Sequence, residues 1–210
     1  MPIALLSSYQ HTGELAEFAR ALVKKGWVVR ATSGTSKFLS EAGVPDIQDL
    51  PLHELWHNDV ILNEEAQINL ISPPGETDRA IDLVVVDFRP VENIVRREDL
   101  GDRLPVFANA ARAAMVMCAT IGNRAVVTNL YDLPRVLGWI ETDTLNGPNR
   151  RWLHAKAWAT LAARTMELAK YLSYGTGPSG IVLASGIPDP DSEVWMSAFE
   201  RAHQATPARS

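Results

Sequence analysis

Apolar residues in this chain fall into short unbroken runs, and between those runs they recur at every third or fourth position. Ile3 to Leu6 is a compact apolar run that stops at Ser7-Ser8, which predicts a buried strand. Tyr9 to Gly13 is a polar turn in which Thr12 or Gly13 can cap a helix from about Glu14 to Lys25. Leu15, Phe18, Ala19, Leu22 and Val23 supply its apolar stripe, Lys24 and Lys25 sit in its last turn, and Gly26 ends it. Trp27 to Ala31 reads as a second strand and Ser36 to Ala42 as a second helix, stopped by Gly43 before Pro45. A β-α-β-α start with short loops predicts an α/β fold on a parallel sheet.

The pattern breaks between Asp46 and Asp78, which reads as an irregular excursion, with an edge strand at Ile68 to Ile71 cut off by Pro73-Pro74-Gly75. Ala80 to Asp87 is the clearest strand, and its unbroken β-branched run predicts burial on both faces. Pro105 to Ile121 is a helix of small residues whose polar exceptions are Asn109 and Arg112. Arg124 to Thr128 is a short strand, and Tyr131-Asp132-Leu133-Pro134 opens a helix ending near Thr142. Asn149 to Leu172 is a long helix with apolar residues over most of its circumference, which predicts burial on several sides and a subunit interface on one of them. Residues 173–190 read as a Gly-, Pro- and Ser-rich linker, followed by a last helix from Asp191 to Ala205. The expected organisation is one domain over residues 1–172 with a linker and helix extension over 173–210.

Composition narrows the function classes. The 210 residues are 46% hydrophobic and 21% charged, which suits one ordinary domain. A net charge of -5 argues against a nucleic-acid or membrane-surface partner, since either normally meets a basic face. The single cysteine, Cys118, excludes an intramolecular disulfide framework. The apolar N-terminus is short and lacks a basic n-region, and no apolar run is long enough to span a bilayer, so a cytoplasmic location is the expectation.

Val28 to Thr35 holds the most suggestive chemistry. A strand runs into the hydroxyl-rich turn Thr32-Ser33-Gly34-Thr35 and then into a helix. Gly34 lets the backbone approach a ligand, and a helix N-terminus offers N–H groups and a favourable dipole to a phosphate. A plain N-cap fits the same residues. Asp87 and Arg89 stand at a second strand end, placed either to bind polar ligand atoms or to pair with other surface charges. His53 and His57 could share one helical face, but no third ligand has zinc-site spacing, and a solvated loop fits them as well.

Four segments together carry a resemblance. Ala4-Leu5-Leu6-Ser7 with Thr12-Gly13 and Glu17-Phe18-Ala19 forms the first; Thr32-Ser33-Gly34-Thr35 with Leu39 and Glu41-Ala42-Gly43 forms the second. Asp82 to Val86 followed by Pro90 and Glu92 is the third, and Ala155-Lys156-Ala157 with Tyr171-Leu172 the fourth. In this order, over about residues 3–172, the chain resembles the inosine-monophosphate cyclohydrolase domain of bifunctional purine-biosynthesis proteins, a methylglyoxal-synthase-like fold. The likeness does not extend to that family's formyl-transferring domain. It implies a three-layer α/β parallel-sheet domain that binds a purine-type or imidazole ribonucleotide at its strand ends. It further implies a homodimer without metal or cofactor. The reaction it implies closes the six-membered ring of a formamidoimidazole carboxamide ribonucleotide with loss of water.

The chain departs from the family where the family keeps its catalytic groups. A lysine of the first turn becomes His11, and an Arg-Val-Lys-Thr segment aligns with Asp59-Val60-Ile61-Leu62. A strand-end tyrosine becomes Arg89, and its neighbouring asparagine becomes Asp87. The family's aspartate falls near Phe107 to Asn109 and its late-helix lysine near Ala119 to Ile121. Three readings follow: a diverged cyclase, a nucleotide- or phosphometabolite-binding module without catalysis, and a methylglyoxal-synthase-type phosphate lyase, which the long late helix fits poorly. A diverged cyclase would place its catalytic polar set on His11, Asp87, Arg89, Asn109 and Arg112, and would bind substrate and phosphate through Ser7, Thr12, Gly13, Thr32, Ser33, Gly34 and Thr35.

Overall fold

The computed structural model describes residues 1–50, 53–55, 59–61, 64–72, 80–90 and 109–174. Five parallel strands form one sheet: β1 (Ile3–Ser7), β2 (Val28–Thr32), β3 (Gln48–Leu50), β6 (Leu83–Val86) and β7 (Ala125–Val127), in the order β3-β2-β1-β6-β7. A separate antiparallel pair, β4 (His53–Leu55) and β5 (Asp59–Ile61), lies between β3 and β6 in sequence. The helices are α1 (Gly13–Lys24), α2 (Ser33–Glu41), α3 (Glu64–Ile71), α4 (Ala110–Ile121), α5 (Leu133–Glu141) and α6 (Gly147–Tyr174).

Strand residues alternate between two apolar cores, as period-2 side chains on a sheet covered on both faces must. Ala4, Leu6, Val29, Ala31, Leu83, Val85, Ala125 and Val127 face α1 and α5 through Leu15, Phe18, Leu22, Leu133 and Val136. Ile3, Leu5, Val84, Val86 and Val126 face α3 and α4 through Leu70, Met115, Val116 and Ala119. The result is the expected helix–sheet–helix sandwich, with β1 and β6 at its centre.

Two glycines end helices by adopting positive φ: Gly26 at +78° after α1 and Gly43 at +74° after α2. Gly122 is required for a different reason. A Cβ there would sit 2.0 Å from the Leu70 carbonyl oxygen, so α4 can end against the last turn of α3 only without a side chain. The neighbouring Arg124, fully buried, completes that junction. Its guanidinium donates to the carbonyls of Leu70 (3.4 Å) and Ser72, a cation set at the C-terminal end of α3. Burial lowers the Arg124 pKa, and the charge of Asp82 opposes that shift. Asp82 itself accepts the Ile3 N–H at 2.9 Å and so closes the amino-terminal edge of the sheet.

The long helix α6 seals the β7 edge. His154 Nε2 lies 2.6 Å from the Arg124 carbonyl at the start of β7, and Thr128 at its end donates to Thr160 at 3.1 Å, so the helix runs in the direction of the strand. Its inward stripe is Trp152, Leu153, Lys156, Ala157, Thr160, Ala163 and Arg164, all buried, while Ala155 and Ala162 are exposed and Trp158 is 45% exposed. Within the single chain α6 is therefore buried along one face and exposed along the other. Alanines on the outer face counted as apolar in the sequence, but they are small enough to meet solvent at little cost. Within the stripe, Lys156 Nζ meets Asp132 Oδ2 at 2.6 Å with the two side chains 2% and 3% exposed, and Trp152 lies 5.0 Å beneath the ammonium.

Ile68 to Ile71 is helix, not an edge strand. A four-residue apolar run has no period of its own, and here only Leu70 points into the core while Ile68 and Ile71 stay exposed. The stretch read as irregular also contributes a strand, β3, to the sheet. The start of the helix read from Pro105, the side chains of His53 and His57, and the rest of the linker and last helix read within 173–210 lie outside the described residues, while Ser173 and Tyr174, read as the linker's first residues, belong to the end of α6. Among the described residues no helix is long and apolar enough to cross a membrane.

Replacing Gly122 by Ala should lower stability by about 1–3 kcal/mol, the range for forcing one extra methyl into a packed junction. Urea unfolding should show an earlier midpoint with an unchanged slope. A wild-type midpoint would mean that α3 does not hold Gly122 closely.

Candidate functional site

From β1 the chain builds outward through β2 and β3, then crosses to the other side of β1 to lay down β6 and β7. The reversal sits between β1 and β6, and loops leaving two such strands diverge, so the crevice of an open α/β sheet opens at their carboxyl ends. Three sequence-predicted stretches converge on that edge: Ser7 at the end of β1, Thr32 to Thr35 at the end of β2, and Asp87 to Arg89 after β6.

At the end of β2 the helix begins earlier than its pattern suggested. α2 starts at Ser33, so Ser33, Gly34 and Thr35 form its first turn rather than a turn before it. Hydroxyl side chains promote caps and loops in isolation, but here tertiary hydrogen bonds fix them. The buried Thr35 Oγ1 accepts the Ser8 N–H at 2.9 Å and donates to the Ser8 carbonyl at 3.2 Å. Thr32 Oγ1 donates within 3.4 Å to Ser7 and 3.3 Å to Thr35. Thr35 and Thr32 thus tie the β1 loop to α2. The outer face of the turn is open. Ser33 and Gly34 are exposed, and nothing lies within 4 Å of the place a Gly34 Cβ would take. No side chain caps α2 and no acid sits in its first turn. One carboxylate, Asp49, accepts from Ser33 Oγ at 3.4 Å at the rim.

Thr12 and Gly13 play another part. Thr12 Oγ1 accepts the Leu15 N–H at 3.3 Å and caps α1, whose first turn already holds Glu14. The exposed His11 ring stacks on Phe38 of α2, with centroids 4.8 Å apart and planes 6° from parallel. That stack braces the β1–α1 loop against α2.

Across the crevice, Asp87 is buried at the end of β6, and its carboxylate accepts the Tyr9 N–H and, at 2.9 Å, the Gln10 N–H. It therefore stitches the β1 loop to β6 over the crevice floor. Two residues on, Asn109 holds Arg89 by both backbone groups: its Oδ1 accepts the Arg89 N–H at 3.0 Å, and its Nδ2 donates to the Arg89 carbonyl at 2.8 Å. With its side chain so engaged, Asn109 does not cap α4, which also lacks an acid in its first turn. The Arg89 guanidinium lies 5.2 Å over the Tyr9 ring, a cation–π platform. Arg112, in the first turn of α4, shares this neighbourhood: burial lowers its pKa, the Asp87 carboxylate opposes the shift, and the Arg89 charge adds to it. Asp87, Arg89, Asn109 and Arg112 thus form one group, with Tyr9 as a member the sequence did not single out. The only signal for Tyr9 was its place in the turn after β1. Among the described residues no cluster of three or more His, Cys, Asp or Glu side chains is arranged to hold a metal ion.

This is the architecture of the methylglyoxal-synthase-like, or MGS-like, α/β fold, with its crevice at the β1–β6 reversal. Residues 14–103 match the family model described as MGS-like domain. The chain is 29% identical over 192 residues to the bifunctional purine biosynthesis protein PurH of Streptococcus suis (strain 05ZYH33), covering 83% of this chain and 37% of that protein. It is likewise 29% identical over 237 residues to PurH of Anaeromyxobacter sp. (strain K), covering 96% of this chain and 42% of that one. The chain thus spans well under half the length of these curated relatives. Among solved structures, ForH superposes with a TM-score of 0.67 and 20% identity over 85% of this chain and all of that one, which is a likeness of fold.

Asp87→Ala would leave two backbone N–H groups without their acceptor and remove the carboxylate beside Arg112. A loss of about 1–3 kcal/mol is expected, with Asp87→Asn milder because one amide oxygen still accepts. Chemical denaturation of both variants checks this; equal, negligible losses would remove Asp87 from the crevice floor.

Proposed function

We propose that this chain binds an imidazole or purine-type ribonucleotide across the β1–β6 crevice and closes the six-membered ring of a formamidoimidazole carboxamide ribonucleotide or a related analogue. The observation that carries the reading is the open first turn of α2. It has no side-chain cap and no acidic residue of its own, and Ser33 and Gly34 line it with nothing over the glycine; the Asp49 carboxylate at its rim accepts from Ser33 Oγ at 3.4 Å. A phosphate there would meet backbone N–H groups and the positive end of the helix dipole. From the end of β2 to the end of β6 is two strand spacings, roughly 10 Å, which suits a phosphate and ribose at one end and a heterocycle at the other. Residues 14–103, the part with MGS-like similarity, contain the phosphate turn and the β6 end, and the PurH relatives are named for purine biosynthesis.

In the proposed reaction the carboxamide nitrogen attacks the formyl carbon. An N–C bond forms, the formyl oxygen gains a proton and the carboxamide nitrogen loses one; the C–O single bond then breaks, the hydroxyl leaving as water with a further proton as the formamido nitrogen loses its own and forms the C=N bond. Holding the two groups in contact supplies much of the acceleration. Arg89 and Arg112 are assigned to the heterocycle end, where guanidinium N–H groups would stabilise charge that develops on oxygen. Asp87 and Asn109 act as positioning residues, since their polar atoms already hold Tyr9, Gln10 and Arg89 by the backbone. His11 is assigned to proton movement as the exposed imidazole of the β1–α1 loop. A second reading, a binding module without turnover, draws on the same engagement of Asp87 and Asn109, which makes them scaffold rather than reagents. Under either reading the fold-family resemblance extends to a homodimer.

Calorimetry should show ribonucleotides binding at least tenfold more tightly than the matching ribonucleosides, the difference a helix-end phosphate site makes. Equal affinities would remove the phosphate from α2. Incubation with the formamidoimidazole carboxamide ribonucleotide should give the ultraviolet change of ring closure, and Arg89→Ala should cut the rate by about 10²-fold or more while leaving the melting temperature near wild type. Binding without any absorbance change would favour the module.

A further inference from the structure

We propose that Tyr9 is a positioning residue of this site: its ring fixes where the Arg89 guanidinium stands, at a set offset from the first turn of α2. The inference rests on the ring-closure reading above and adds to it a residue that the reading leaves without a role.

The backbone around Tyr9 leaves its side chain little choice of place. Ser8, one residue before, is held at both backbone groups by Thr35 Oγ1 in the first turn of α2, at 2.9 and 3.2 Å. The Tyr9 N–H donates to the Asp87 carboxylate at the end of β6, and the Gln10 N–H donates to the same carboxylate at 2.9 Å. Ser8 Oγ also donates to the Gln10 carbonyl at 2.6 Å, which closes the loop on itself. Ser8, Tyr9 and Gln10 are thereby fixed against both α2 and β6. A phenol ring on such a backbone keeps only its own two side-chain torsions, so it makes a stiff platform.

That platform meets Arg89. The guanidinium carbon lies 5.2 Å from the centre of the half-buried Tyr9 ring, over its face. Asn109 holds the other end of the same residue, accepting the Arg89 N–H at 3.0 Å and donating to its carbonyl at 2.8 Å. Arg89 has further interactions besides, so removing the ring should loosen the guanidinium in part rather than free it. An arginine side chain is long and rich in rotamers, and the freedom it gives up is lost either during folding or when the ligand reacts. A ring that holds the guanidinium in advance moves that loss to folding, which is how positioning raises a rate. Ser8 and Tyr9 are adjacent, so the residue tied to α2 and the residue under Arg89 are one peptide unit apart. A short, rigid path therefore joins the turn assigned to the phosphate and the guanidinium assigned to the heterocycle.

Two measurements on the full chain test this. The first reads the pair without any reaction. The Arg89 Nε–H resonance, assigned by its absence in Arg89→Lys, should be shifted upfield by the ring in the wild-type chain and in Tyr9→Phe, and should move downfield in Tyr9→Leu. The second reads the consequence with the formamidoimidazole carboxamide ribonucleotide. Tyr9→Leu should lower kcat about tenfold with KM within about threefold of wild type, and Tyr9→Phe should bring the rate back to within about threefold. In an Arg89→Ala background, Tyr9→Leu should cost less than about twofold more, since the group that the ring positions is gone. Tyr9→Met serves as the non-aromatic variant if Tyr9→Leu does not fold. An Nε–H signal that Tyr9→Leu leaves in place would overturn the pairing. A tenfold loss that persists without Arg89, or an equal loss in Tyr9→Phe, would mean that Tyr9 acts on its own and would overturn the positioning role. Wild-type ring closure that Tyr9→Leu leaves unchanged would overturn this role alone, whereas no ring closure by the wild-type chain would overturn the reaction reading and this role together.

Discussion

The site depends on one buried carboxylate reaching across a gap in the sheet. Asp87 at the end of β6 accepts two consecutive amide N–H groups from the loop that leaves β1. Without that bridge the loops on either side of the reversal would share only the Arg89–Tyr9 cation–π contact and the apolar floor beneath them. A carboxylate can do this in a buried place because both oxygens find donors and guanidinium groups stand nearby; a buried charge with neither would be costly. The interaction fixes Tyr9, Tyr9 supports the Arg89 guanidinium, and Asn109 fixes the Arg89 backbone from α4. Three elements that are distant in sequence thereby become one surface.

The other half of the crevice follows a different economy of groups. Thr35 faces inward and ties Ser8 by both backbone atoms, while Ser33 and Gly34 face outward. One first turn of α2 therefore serves as structural anchor on its inner side and as an open run of helix-end N–H groups on its outer side. The His11–Phe38 stack braces the same loop from α2. The β1–α1 loop is thus held at three points, by Asp87, by Thr35 and by Phe38, which favours a site formed in advance of its ligand over one that closes around it.

Buried charge elsewhere in the fold holds elements together. Arg124 and Asp82 lie at the amino-terminal edge and hold α3 and the start of β1. Lys156 and Asp132 are sealed under Trp152 where α6 covers β7. A buried pair of this kind gives little net stability but penalises any packing that separates the two groups, so here it ties the long helix to the segment after β7.

The parallel sheet, its alternating helices and the strand-end position of the hydroxyl-rich turn Thr32 to Thr35 were determined by the sequence itself. Continuous β-branched runs, helical periodicity in α1 and the glycines at 26 and 43 are local signals that the fold amplifies. What the sequence left ambiguous was short or two-sided. Ile68 to Ile71 is too brief to show a period, and the alanines of α6 are apolar without needing burial. The roles of Lys156, Arg124 and Tyr9 were not legible in the sequence because each takes its role from a partner far along the chain. Only the tertiary structure decided which polar atoms are engaged as scaffold and which stand open at the crevice, since hydrogen-bond partners 20 to 78 residues apart are set by strand order and not by spacing.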